Sequence, residues 1–195
     1  GFDLMTDYTM AEAWLTSLSY SFQLYFDFSG YCDMAIGIGL MFNIKLPLNF
    51  NAPYRACDFQ DFWRRWHMTL NRFLTQYLYF PLGGSRKGEV RTLINIFIVF
   101  LVSGIWHGAG WTFIVWGILH GLTMIVNRLW KKYGISLPKW FAIALTFFFV
   151  NIYWVFFRAN SLNDAIHIVS SMFNNINLCI LIAEDIIDFI PNEKE

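Results

Sequence analysis

Charged side chains are scarce in this sequence. They make up 14% of its 195 residues, whereas 56% are hydrophobic and 20% aromatic, and a soluble domain usually carries about 25% charged residues. Basic and acidic residues are equal in number, with 14 of each, so no excess of positive charge favours nucleic acid as a partner. These absences exclude an ordinary soluble domain and indicate an integral membrane protein.

Cysteine is also rare. Cys32, Cys57 and Cys179 share no short ligand spacing and do not form an even set, so the sequence predicts neither a disulfide framework nor a metal site. The chain begins at Gly1, without a basic leader before its first hydrophobic stretch, which is not typical of a signal peptide. We expect residues 1–195 to form one partial membrane domain of a longer protein.

Long hydrophobic runs are the main feature of the sequence, since a membrane helix needs roughly 20 apolar residues. The first run, residues 10–44, is predicted to form two helices that meet at a break formed by Asp27, Ser29, Gly30 and Asp33. Further spans are predicted near residues 92–106, 111–130 and 140–157, and acidic residues argue against another span in the tail. The predicted fold class is therefore all-α, a polytopic transmembrane protein with amphipathic or re-entrant helices.

An amphipathic helix is predicted after the proline-containing loop of residues 45–55. Asp58 is placed as its N-cap, and apolar residues then recur at helical spacing as far as Tyr77. His67 lies on the apolar stripe and is expected to face protein. A second short amphipathic helix is predicted after Ser161, where His167 is expected to be solvated or interfacial.

Basic residues flank the two runs on either side of the sequence HGAG, residues 107–110. Because two crossings return the chain to its starting side, the positive-inside rule assigns both clusters to the cytoplasm and HGAG to the opposite side. The first run has about 15 residues and would extend about 22 Å, so His107 is expected below the far membrane surface. The clusters are Arg86, Lys87 and Arg91 before the runs, and Arg128, Lys131, Lys132 and Lys139 after them.

Ionisable side chains at membrane depth are functional candidates, because each costs a few kcal/mol unless it is hydrogen-bonded or faces water. Position alone leaves His67 and His107 equally consistent with structural and catalytic roles, whereas His120, between two glycines, favours a structural hydrogen bond. If a cavity joins His67 and His107, a neutral imidazole there suits general-base activation of an alcohol that attacks a thioester.

The phosphates of a cytosolic acyl donor would need cations on the same side of the membrane. Arg64, Arg65, Arg86 and Lys87 are the candidates. For Arg86 and Lys87 the alternative is an ordinary basic cytoplasmic loop.

Three motifs, FWRRWHMTLNRF, PLGGSRKG and SGIWHGAGW, together with their surroundings from about Ser19 to Arg158, resemble the membrane-bound O-acyltransferase (MBOAT) family. Within it, the chain is most similar to the membrane subunits of alginate and related polysaccharide O-acetyltransferases. The resemblance implies that His107, in the WHG motif, is catalytic and that His67, in the RWH motif, is its polar partner. It also implies a carboxy-terminal fragment that lacks the family's amino-terminal helices.

The resemblance further implies acetyl-CoA as the acyl donor, no bound cofactor, and a multi-pass location in the cytoplasmic membrane. The acetyl group would pass to an extracytoplasmic polysaccharide, often through a separate SGNH-type acetyltransferase, and the polysaccharide itself is not identified. Transfer of D-alanyl or other acyl groups to teichoic acid or lipid is the alternative within the family. Outside it, the alternatives are a transporter and a haem carrier with His107 and His120 as axial ligands.

Overall fold

The computed structural model describes Phe2, residues 8–134 and residues 136–173. Within these ranges the secondary structure is helical and contains no strand, which confirms the all-α fold class. The tail, where acidic residues argue against another span, lies outside the described residues. The helices are α1 (Met10–Met41), α2 (Phe59–Arg65), α3 (Met68–Leu74), α4 (Glu89–His107), α5 (Trp111–Tyr133), α6 (Lys139–Arg158) and α7 (Leu162–Ser171), with a 3-10 turn at Pro53–Arg55 and a π-helical turn at Thr75–Tyr79.

Three of the described helices, α4, α5 and α6, are long and apolar enough to cross a membrane, with 19, 23 and 20 residues. They correspond to the three spans predicted after residue 90. Helix α4 begins at Glu89, about one turn before the predicted start, and extends about 28 Å at 1.5 Å per residue. That length is close to the hydrocarbon thickness of about 30 Å.

The predicted break in the first hydrophobic run is wrong, because α1 is one continuous helix of 32 residues. No proline lies between Met10 and Met41, and a glycine inside a helix costs only about 1 kcal/mol. The polar residues are also accommodated without a break: Asp27 and Asp33 are exposed, and the Ser29 hydroxyl donates a hydrogen bond to the carbonyl of Phe26.

The single amphipathic helix predicted from Asp58 is interrupted. Asp58 does cap α2, but the chain leaves helical geometry at Trp66 and at His67, whose φ is +44°. The reason is competition from the extended segment of residues 42–52, hereafter the strap. Its Asn51 N–H donates to the Arg65 carbonyl, and its Asn49 carbonyl accepts from the Met68 N–H, so these groups are not available for helix continuation.

Helices α4 and α5 form an antiparallel hairpin with a close backbone contact. At Gly104 an added Cβ would overlap the Phe113 carbonyl, and at Gly117 it would lie 2.6 Å from the Phe100 carbonyl. At the open end of the hairpin, Lys132 is ion-paired with Glu89. The two basic clusters therefore lie at one end of the hairpin, as the sequence predicts, and residues 108–110 lie at the other.

Helices α1 and α6 are joined by buried polar side chains. Ser21 Oγ donates to Asn151 Oδ1 at 2.7 Å, and Asn151 Nδ2 donates to Ser17 Oγ at 3.0 Å. All three side chains are buried. The contact fixes the register of α1 against α6.

Helix α7 is capped as predicted, since the Ser161 hydroxyl accepts from the Asp164 N–H. His167 on this helix is exposed, and its solvated or interfacial position stays a prediction. The main core lies between α2, α5 and α6 and is mostly aromatic. Its largest buried members are Phe59, Phe62, Trp63, Trp66, Phe100, Trp116, Tyr153 and Trp154.

We expect Gly104→Ala and Gly117→Ala each to destabilise the protein by about 1–3 kcal/mol, because backbone carbonyls cannot move aside for a methyl group without separating α4 from α5. The measurement is the melting temperature of the detergent-solubilised protein. Gly37→Ala is the matched control, since no described atom beyond the neighbouring residues and backbone of α1 lies within 4 Å of the position that its Cβ would take. Equal melting temperatures for all three variants would contradict the close contact.

We expect Asn151→Leu to cost about 1–3 kcal/mol, because it leaves the buried Ser21 hydroxyl without an acceptor. Combining Asn151→Leu with Ser21→Ala removes both partners, and the double variant should be less destabilised than the sum of the single variants. Thermal unfolding of the four proteins measures this coupling. Strict additivity would argue against the observed hydrogen bond.

Candidate active site

His67 lies at the break between α2 and α3 and is half-buried. Its ring packs edge-on against Phe28 of α1, with ring centroids 4.8 Å apart, so it faces protein as predicted. Its Nδ1 lies 3.3 Å from Asn49 Oδ1 in the strap. A left-handed conformation is uncommon for a residue with a Cβ, and where it persists the surrounding structure enforces it.

His107 is the last residue of α4 and is also half-buried. Its Nδ1 lies 2.6 Å from the backbone carbonyl of Ser103. A carbonyl can only accept, so Nδ1 carries the proton and Nε2 of the neutral ring has a free lone pair. The ring is packed edge-on between the aromatic rings of Trp106, Trp116 and Phe157, at centroid distances of 4.9 to 5.3 Å.

His107 contributes to the electrostatic surroundings of His67. Burial and, secondly, the charge of His107 lower the pKa of His67 to about 4, so the His67 ring is neutral at pH 7. A neutral imidazole is suited to accepting a proton. Neither His67 nor His107 is among the residues that line the cavity described below. Whether either acts in catalysis stays a prediction.

His120 is fully buried and has the opposite hydrogen-bonding pattern. Its Nδ1 accepts from Trp63 Nε1–H at 3.3 Å, and an indole N–H is a donor only. The proton of the neutral His120 ring is therefore on Nε2. The predicted structural hydrogen bond is present, although the partner belongs to α2 and not to the glycine contact between α4 and α5.

A cavity of about 260 Å³ lies between the α2–α3 segment and the α4–α5 hairpin. At one end are Gln60, Arg64 and Arg128, near an ion pair of 2.8 Å between Lys131 and Asp58. At the other end is Ser103, whose carbonyl is the partner of His107. The intervening lining consists of Trp63, Leu70, Asn71, Leu74, Thr75, Tyr79, Ile96, Val99, Phe100 and Met124.

The four predicted donor-binding cations are in different surroundings. Arg64 lines the cavity. Arg65 instead makes a 2.8 Å ion pair with Asp61, and Arg86 and Lys87 lie in the exposed loop before α4, outside the cavity lining. A role for these three residues in donor binding stays a prediction.

Sequence reasoning misses two residues of the site. It assigns Arg128 only to a cytoplasmic cluster, but Arg128 lines the same cavity as Arg64. It places Asn49 in a proline-containing loop, but the Asn49 side chain contacts His67 and Thr69. No local pattern reveals either contact, because each joins residues that are distant in sequence.

The packing does not suit the haem hypothesis. Trp116 contacts both proposed axial ligands, with centroid distances of 5.0 Å to His107 and 4.8 Å to His120. The indole thus occupies space that a porphyrin between the two rings would need. His120 Nδ1 is also engaged by Trp63.

Comparison with known proteins places these residues in a family. The family model described as "MBOAT, membrane-bound O-acyltransferase family" matches residues 3–163. The chain is 57% identical over 190 residues to the peptidoglycan O-acetyltransferase of Helicobacter pylori, and the aligned region covers 94% of this chain and 36% of that protein. It is also 43% identical over 173 residues to the probable alginate O-acetylase AlgI of Pseudomonas aeruginosa, covering 85% of this chain and 32% of that protein.

A more distant relative is the teichoic acid D-alanyltransferase of Bacillus subtilis, 33% identical over 147 residues, covering 67% of this chain and 37% of that protein. The chain thus spans about a third of the length of each of these relatives. The family match covers most of the chain and includes the segments that carry His67 and His107. The chain belongs to the membrane-bound O-acyltransferase family.

Proposed function

We propose that this chain is part of an O-acyltransferase that moves an acetyl group from a cytosolic thioester, acetyl-CoA, to a cell-envelope polysaccharide outside the cytoplasmic membrane. The observation that carries the proposal is the position of His107. Its ring has a free Nε2 lone pair and is held by Ser103, which lines one end of a cavity whose other end carries Arg64 and Arg128.

In the proposed reaction, His107 Nε2 takes the proton of an acceptor hydroxyl as its oxygen attacks the thioester carbonyl carbon. The new C–O bond forms, the C–S bond breaks, and the proton passes to the departing thiolate. A neutral imidazole is the required form of the base, and such proton transfer typically contributes about 10²- to 10⁴-fold in rate. His67, also neutral at pH 7, is the proposed polar partner.

Arg64 and Arg128 are the proposed contacts for the phosphates of the donor. Guanidinium groups bind phosphate through paired, charge-assisted hydrogen bonds. The lining also contains Leu70, Leu74, Ile96 and Val99, and these apolar side chains suit the thioester arm of the donor. Arg65, Arg86 and Lys87 remain proposed auxiliary contacts at the same side of the membrane.

Peptidoglycan is the first acceptor to test, because the relative at 57% identity carries that name. We also propose that an extracytoplasmic SGNH-type acetyltransferase receives the acetyl group. D-alanyl transfer to teichoic acid is the alternative within the family, favoured by the relative at 33% identity. The basic ends of the α4–α5 hairpin would face the cytoplasm.

We expect His107→Ala, made in the full-length protein, to reduce glycan-bound acetate by about 100-fold or more, because the base that accepts the hydroxyl proton is lost. We expect a large decrease for His67→Ala as well. The measurement is acetate released by mild alkali from purified peptidoglycan and from extracellular polysaccharide, with membrane insertion of each variant verified.

His167→Ala is the matched control, since this histidine is exposed on α7 and should leave acetylation unchanged. Wild-type acetylation by His107→Ala would end the catalytic assignment and would favour a transporter. If the wild-type protein transfers no acetyl group and adds D-alanyl groups instead, D-alanyl transfer to teichoic acid would be established as its function.

We expect Arg64→Ala and Arg128→Ala each to raise the KM for acetyl-CoA by about tenfold, the effect of losing a charged hydrogen bond worth about 1.5 kcal/mol. The change in kcat should be small, because neither residue is at the His107 end of the cavity. Steady-state assays of the full-length enzyme measure both constants. Arg91→Ala, an exposed cation outside the cavity lining, is the control, and an equal KM for all variants would place the donor elsewhere.

A further inference from the structure

The side chain of Asn49 is the most heavily bonded group in the strap. Its Oδ1 lies 3.2 Å from the Thr69 backbone nitrogen, 2.5 Å from Thr69 Oγ1 and 3.3 Å from His67 Nδ1. Its Nδ2 lies 3.5 Å from Cys32 Sγ on α1. Asn49 therefore connects α1, the strap and the α2–α3 break at the position of His67.

The contact with Thr69 fixes which end of the Asn49 amide faces His67. A backbone N–H can only donate, so the atom it meets must be the oxygen. That oxygen has no hydrogen to offer His67 Nδ1, and the contact is favourable only if Nδ1 carries the proton. In the neutral ring, Nε2 is then left with a free lone pair.

We propose that Asn49 is a positioning residue that holds His67 in the Nδ1–H tautomer, so that its Nε2 acts as a hydrogen-bond acceptor in the active site. The inference rests on the proposed acyl transfer. An acceptor at this position matches an incoming hydroxyl, or the N–H that His107 gains on taking a proton. In the opposite tautomer, His67 Nε2 would carry a hydrogen and could not accept one from the hydroxyl or from His107.

The same logic distinguishes the three described histidines of the core region. Acceptor-only oxygens from Asn49 and Ser103 select the Nδ1–H form for His67 and His107, whereas the Trp63 N–H selects the Nε2–H form for His120. The two histidines with free Nε2 lone pairs are the two in the proposed reaction. Asn49 thus does for His67 what the Ser103 carbonyl does for His107.

Other ionisable groups near His67 are few among the described residues. His107 on α4 acts on it through charge, and Cys32 on α1 lies on the far side of Asn49. On its own segment, Arg64 lines the cavity and Arg65 is paired with Asp61. A carboxylate introduced at position 49 would therefore be a new negative charge beside the ring.

The first test reads the tautomer directly. The full-length protein, labelled with ¹⁵N-histidine, is studied by solid-state NMR, and the His67 signals are assigned by difference from His67→Gln. We expect the Nδ1–H form in the wild type and in Asn51→Ala, and loss of that form in Asn49→Leu. Asn51 is the matched control because it contacts the break through backbone atoms.

The second test reads catalysis in the same variants. We expect Asn49→Leu to lower kcat by about 10- to 100-fold, a typical effect of removing an outer hydrogen-bond partner of a functional histidine, with little change in the KM for acetyl-CoA. Asn49→Asp keeps the acceptor oxygen and should retain more activity than Asn49→Leu. Its charge raises the pKa of His67, so the NMR titration of the His67 ring should move to higher pH by about one unit or more.

An Nε2–H tautomer of His67 in the wild type would overturn the proposal, as would wild-type kcat in Asn49→Leu. If Asn49→Leu fails to fold, the His67 titration in Asn49→Asp decides, and an unshifted titration would overturn the positioning role. If the wild type itself transfers no acyl group, the proposed function fails, and the NMR measurement still determines separately whether Asn49 selects the tautomer.

Discussion

The site depends on a competition for backbone hydrogen bonds where α2 meets α3. The strap takes the N–H of Met68 and the carbonyl of Arg65 out of the helix, and the chain must turn between them. His67 occupies that turn in a left-handed conformation, which costs about 1–2 kcal/mol for a residue with a Cβ. The strap hydrogen bonds and the Asn49 contacts offset this strain, and they determine where the ring lies.

A second constraint places His107. Gly104 and Gly117 let the backbones of α4 and α5 approach so closely that neither position has room for a Cβ atom. This contact is one turn from the end of α4, so the His107 ring meets Trp116 on α5 and Phe157 on α6. Inside a membrane the hydrophobic effect does not drive helices together, so close packing of small residues is a main source of helix association.

The cavity follows from these two arrangements together. Residues of α2 and α3 on either side of the break line the cavity on one side, and residues of the α4–α5 hairpin line it on the other. Cations lie at one end and the partner of His107 lies at the other. The donor orientation proposed above rests on this polarity, with the anionic groups at the cations and the acyl end towards Ser103.

Periodicity, composition and short-range hydrogen bonds are properties of a linear sequence, and they were enough to predict much of this fold. They predict the helical class, the three apolar spans, the hairpin with both basic clusters at one end, and the caps at Asp58 and Ser161. They also single out His67 and His107. They could not show that α1 is continuous, because the effect of its polar residues depends on where each side chain points.

Folding alone produces the break at His67, the shared cavity of Arg64 and Arg128, and the proton position on each histidine ring. The break is made by the hydrogen bonds that join residues 49 and 51 to residues 68 and 65. The periodicity of one helix contains no information about a distant segment that competes for its backbone hydrogen bonds. The protonated nitrogen of each ring is set by a partner 4, 18 or 57 residues away. The fold brings these partners together, and so it determines which histidines are free to accept a proton.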